Sequence, residues 1–169
     1  MTITPDTIRA VVKRLTGNNV QGAVKRNILE GVNIYSCIHQ GFEYCCYDQD
    51  RQWTVSEVRK GHIQRIWTET TSPETKIIET FAQFALQEAF GAVHLTFQHQ
   101  VTECHRKREV MRNTFSSSLG LVVVHTRKVG TNTDTVVQVP CKQWIGRYLW
   151  KSETSAVVLT PRMLNKLPF

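Results

Sequence analysis

No apolar run in this 169-residue sequence approaches the roughly 18 to 20 residues that span a bilayer, so membrane insertion is not expected. The amino end, Met1 to Asp6, lacks the basic stretch followed by an apolar stretch that marks a secretory signal, which predicts a protein that stays where it is made. Paired cysteines are missing too. Five are present, an odd number, with Cys45 and Cys46 adjacent and Cys37, Cys104 and Cys141 in unrelated settings. That pattern is not the framework of a small disulfide-built fold, so reduced thiols and a cytoplasmic location are expected.

Further absences narrow the chemistry. There is no Cys-x-x-Cys pair for zinc, no phosphate-binding glycine loop, no Gly-x-Ser-x-Gly elbow and no HExxH pair. Pro140 and Cys141 occur without the rest of the zinc-deaminase signature. A magnesium-dependent nuclease would need clustered carboxylates; Asp48, Asp50, Glu57 and Glu74 are available, but Glu74 already has a structural role at a helix start. No metal or cofactor is expected.

What the chain does have is positive charge, +7 in net, unevenly spread. Residues 1–32 hold five basic and two acidic side chains, residues 105–128 six against one and residues 137–169 five against one, whereas residues 33–104 hold five against nine. Segregation of this kind builds a basic face that attracts polyanions; a scattered solvated surface is the alternative.

Thr4-Pro5-Asp6 predicts a helix start, with a hydroxyl cap, proline where no amide donor is lost, and an acid at the positive end of the dipole. Ile8, Val11, Val12 and Leu15 form its apolar stripe. Past Gly17, the spacing of Val20, Ala23, Val24 and Ile28 predicts a second helix carrying Lys25 and Arg26, hence a helical hairpin over residues 1–31. Such a pair suits a cap on a sheet; a DNA-reading helix-turn-helix has the same pattern. Aromatic-rich segments from Val32 to Trp67 predict an antiparallel meander, and Ser72-Pro73-Glu74 starts a core helix over residues 73–90 with a broad apolar stripe. Alternation from Val93 to Thr102, the apolar run Leu119 to Val124 and further segments up to Leu159 predict more strands. No repeat or dividing linker is evident. The expected fold is α+β, one domain over residues 1–169, with an antiparallel sheet packed on one long central helix beside the amino-terminal helical hairpin.

The connection from His105 to Arg112 carries the clearest hint of function. Arg106, Lys107, Arg108 and Arg112 can meet a row of phosphates, with Ser116 to Ser118 adding hydroxyls. With Lys13, Arg14, Lys25 and Arg26, they make binding of nucleic acid or another polyanion by a small accessory protein the leading reading. Two others stand beside it. His94 and Thr96 form a His-x-Thr pattern that serves phosphoesterases, although His125-Thr126 offers no matching second motif. A protein partner or an inhibitor role would use Tyr35, Tyr44, Tyr47, Trp144 and Trp150 as anchors.

Overall fold

Two helices begin in the same way, and each heads a run of antiparallel strands. The computed structural model describes residues 3–49, 52–105, 108–151, 157–159 and 163–164, and its backbone divides into two compact units, Met1–Thr70 and Thr71–Phe169. Helix α1 covers Pro5–Thr16 and helix α2 covers Pro73–Phe90. In each, proline occupies the first turn beside an acid, and the third helical residue returns a threonine hydroxyl to the cap: Thr4 N–H donates to Thr7 Oγ1 and Ser72 N–H to Thr75 Oγ1, both at 3.1 Å. Gly17, at φ 79°, takes the left-handed turn that ends α1 and donates its N–H to the Lys13 carbonyl at 2.8 Å.

In the first unit, β1 (Lys25–Leu29), β2 (Val32–His39), β3 (Phe42–Gln49), β4 (Gln52–Arg59) and β5 (His62–Thr68) pair in sequence order, every neighbour antiparallel. Three of the hairpins turn on a residue and a glycine that both have positive φ: Glu30-Gly31 at 51° and 78°, Gln40-Gly41 at 50° and 81°, and Lys60-Gly61 at 51° and 76°. Turns of this hand match strand twist, which explains why a longer side chain accepts the strain at the first position. Register places Tyr35, Cys46, Val55 and Trp67 in one row, and α1 lies against β2 and β3 with Ile8, Val11 and Val12 buried.

The second unit repeats the order of helix then meander, with β6 (Thr96–His105), β7 (Arg108–Ser117), β8 (Gly120–Val129), β9 (Asn132–Val139) and β10 (Gln143–Trp150). Two short strands, β11 (Val157–Leu159) and β12 (Met163–Leu164), both pair with β10. Helix α2 lies against β10 and β9, and Ile78, Phe81, Ala82, Ala85 and Leu86 join Phe115, Val122, Val124, Val137 and Ile145 in the core. The Phe81 ring stacks on Tyr148 at 4.9 Å, with Trp150 tilted beside it at 5.5 Å.

The expected architecture is corrected in three respects. The protein is mostly antiparallel sheet with two helices, and no sheet is packed on one long central helix; each unit has its own. The helical hairpin does not exist, because Lys25–Leu29 is the strand β1, paired with β2 through the Glu30-Gly31 turn. Four apolar residues at helical spacing also suit a loop entering a strand, and the turn chemistry of Glu30-Gly31 favours a hairpin. Nor is α2 deeply embedded: Ile77, Phe84 and Phe90 of its broad stripe are 41%, 59% and 48% exposed.

Strand β10 approaches α2 closely at Gly146, where it bulges between Ile145 and Arg147. Its φ is +60°, and a Cβ there would fall 2.6 Å from Ala85 Cβ on α2. Gly146→Ala should therefore lower unfolding stability by about 2 kcal/mol through strain and overpacking, read as a reduced urea midpoint.

Candidate functional site

The polar residues that meet at a cavity come from two turns of the first unit. The connection after α1 runs Gly17, Asn18, Asn19, Val20, Gln21, Gly22 without a charge, and the end of β2 supplies Ile38, His39 and Gln40. Between them lies an open cavity of about 630 Å³, lined by Asn18, Asn19, Gln21, His39 and Gln40. Gly22 lies close to β2, since a Cβ on it would sit 3.7 Å from the Ile38 carbonyl oxygen. His39 is 7% exposed, and its Nε2 has no hydrogen-bond partner among the described residues. A buried donor or acceptor left in that state costs about 1 to 3 kcal/mol.

A buried charge network holds this connection in place. Glu57 on β4 accepts from Arg65 Nε at 2.8 Å and Nη2 at 2.7 Å, and from the Tyr44 hydroxyl at 2.7 Å. Arg65 Nη1 then reaches Leu15 O in the last turn of α1 at 3.2 Å. Thr16 continues the anchoring, its hydroxyl donating to Val12 O at 2.8 Å and accepting from Asn18 N–H at 3.2 Å. Burial alone would raise the Glu57 pKa, but the Arg65 and Tyr44 hydrogen bonds outweigh it and hold the carboxyl below its ordinary 4.5.

The cavity lies between two basic pairs along the chain. Lys13 and Arg14 occupy the last turn of α1, and Lys25 and Arg26 open β1; all four are exposed. The Arg14 guanidinium stands 5.7 Å over the Trp67 ring, and Arg26 donates to Asn33 Oδ1 at 3.0 Å. Sequence reasoning singled out these four cations but missed Asn18, Asn19, Gln21, His39 and Gln40. The available signal was an uncharged, amide- and glycine-rich stretch between two basic pairs.

Elsewhere the expected site residues are spread out. Arg106 and Lys107 lie outside the described residues. Arg108 is exposed at the start of β7, opposite His105. Arg112 is four residues further on, bonded to Glu103 at 2.7 Å. The serines do not adjoin this tip: the whole of β7 separates Arg108 from Ser117, about 30 Å at strand rise. Ser116 instead accepts from Gln98 at 3.0 Å, and Ser117 donates to Gly120 O at 2.8 Å in the turn to β8. His94 is exposed in the connection before β6, and Thr96, the first residue of that strand, is exposed as well.

Across the strands of the second unit, register lines up Val101, Arg112, His125, Val136 and Arg147 in one row. His125 bonds Gln138 at 3.0 Å and meets the Trp144 ring edge-on at 4.9 Å. Burial, joined by Arg112 and opposed by the Gln138 bond, holds its pKa below the ordinary 6.5. Arg147 grips Asp134 through two bonds of 3.0 and 2.8 Å. The thiols of Cys45 and Cys46 are buried in the first unit, where burial first and nearby carboxylates next push them up to about 11 and about 12; they stay protonated at neutral pH.

Among the described residues no helix is long and apolar enough to cross a membrane, and no three His, Cys, Asp or Glu side chains converge as metal ligands would. Comparison with protein-family models, curated protein sequences and solved structures finds no match to this chain.

Replacing Glu57 by alanine leaves the Arg65 charge and the Tyr44 hydroxyl without their shared acceptor, and should cost roughly 3 kcal/mol in a denaturant titration. Because the folded pKa is the lower one, the stabilisation from Glu57 is complete above pH 4.5 and is lost as pH falls through the folded value. The variant should accordingly show a shallower loss of stability below pH 4.5 than the parent.

Proposed function

We propose that the chain binds a polyanion, nucleic acid foremost, through the exposed cations that precede and follow the cavity-lining connection in the chain: Lys13, Arg14, Lys25 and Arg26. The observation that carries this reading is that both basic pairs are exposed, with the uncharged cavity-lining connection between them. Residues 7–29 contain five cations and no acid, so nothing within that stretch neutralises them. By contrast Arg112, Arg147 and Arg65 are engaged by Glu103, Asp134 and Glu57, which makes them structural contributors rather than phosphate ligands. Arg108, with Arg106 and Lys107 preceding it, is a second group of cations for the same kind of ligand.

A flexible phosphate chain meets such a surface by releasing counterions, so affinity should fall linearly with salt on logarithmic axes. Changing Lys13, Lys25 and Arg26 together to alanine should reduce the slope for single strands by about 2, near 0.7 for each phosphate that is no longer neutralised. Arg14 is left intact in that variant because its guanidinium stands over Trp67. Fluorescence anisotropy over a salt series measures the slope, and an Arg106→Ala, Lys107→Ala, Arg108→Ala variant reports on the second group separately. An unchanged slope in both variants would remove the proposed surface.

A further inference from the structure

We propose that the cavity between the α1–β1 connection and the end of β2 takes one unpaired nucleobase of a single-stranded nucleic acid, a conclusion that rests on the polyanion reading above. The cavity, about 630 Å³, falls within the roughly 300 to 1,000 Å³ of small-molecule sites and has room for a base with its sugar. Its lining selects against other guests. No lining side chain carries a permanent charge, so the cavity is not built for a free phosphate or a metal ion. Ile38 is the one aliphatic side chain in the lining and is 72% exposed, too little for a lipid or other apolar ligand.

What the lining offers is a set of groups that donate and accept together: the amides of Asn18, Asn19, Gln21 and Gln40 and the imidazole of His39. Alternating donors and acceptors of this kind match the hydrogen-bonding edge of a base, which asparagine and glutamine read in pairs. Asn19, Gln21 and Gln40 have no side-chain partner among the described residues, and the His39 Nε2 is buried without one. A neutral sugar would also bond to amides, but it leaves Lys13, Arg14, Lys25 and Arg26 without a role. A base attached to its phosphodiester backbone uses both features, with the ring in the cavity and phosphates on the cations of the α1 end and the β1 start. Unpaired bases are required, since in a duplex the same edges are occupied by the complementary strand.

The test compares a labelled single strand with an abasic strand of the same length and phosphate count, and with a duplex, by anisotropy on the full chain. Free nucleosides are titrated separately while the His39 ring resonances are followed by NMR. The expected result is about tenfold tighter binding of the intact strand than of the abasic one, the size of one paired amide interaction. In the Asn19→Ala, Gln21→Ala double variant, exposed loop positions both, that preference should vanish while abasic binding stays unchanged. Nucleosides should shift the His39 resonances in the parent and not in the variant. Equal affinity for intact and abasic strands would overturn base recognition and leave the polyanion reading standing. Nucleoside shifts without binding of any strand at low salt would support the base site and remove the polyanion reading. A monosaccharide that moves His39 where nucleosides do not would overturn the proposal.

Discussion

The first unit depends on how the Glu57 carboxylate is kept charged away from water. Its two oxygens take three hydrogen bonds, from Arg65 twice and from Tyr44, and Arg65 passes the constraint on to the last carbonyls of α1. Three strands and one helix end are thereby tied to a single group: β3 through Tyr44, β4 through Glu57, β5 through Arg65 and α1 through Leu15. Charge-assisted bonds of this kind are directional, so they set the helix end more sharply than apolar packing alone. Where α1 ends determines where the Asn18 to Gln21 connection crosses β2, and that crossing forms the cavity. A group remote from the surface thus shapes a polar recess of the unit.

Pairing also decides which cations remain for a partner. In the second unit, Arg112 and Arg147 lie in one row across the sheet beside His125, and each faces a carboxylate from a neighbouring strand. A basic side chain engaged in this way contributes little attraction for an outside anion, whatever its contribution to net charge. Lys13, Arg14, Lys25 and Arg26 differ because the stretch around them contains no acid. Net charge of +7 therefore does not locate the basic surface; which cations face a carboxylate and which do not carries the functional information.

Much of the fold was legible residue by residue. Thr4-Pro5-Asp6 and Ser72-Pro73-Glu74 announced both helix starts, because capping is a local interaction that needs only four consecutive residues. Gly17 marked the end of α1 for the same reason. The strands from Val32 to Trp67 were readable from their aromatic and β-branched content. Residues 20–28 were misread because a short apolar pattern fits either period, and the pairing of β1 with β2 that settles it is an interaction between segments. The similar order of helix then meander in the two units also escaped a reading of the sequence, since the two share cap chemistry and hairpin order without a repeated string of residues.

The sequence by itself determined the local devices: two capped helices, thiols too scattered for a disulfide framework, and a positive charge concentrated at particular stretches. Each depends on neighbours within a few residues, where backbone geometry and side-chain type suffice. Tertiary structure alone decided which charges are neutralised, that the tip of the β6–β7 hairpin and the serines after β7 lie a strand apart, and that His39 from β2 meets the amides after α1. Those outcomes follow from strand register and from the anchoring of α1 by Arg65, interactions between residues as far apart as Leu15 and Arg65, which no local pattern encodes.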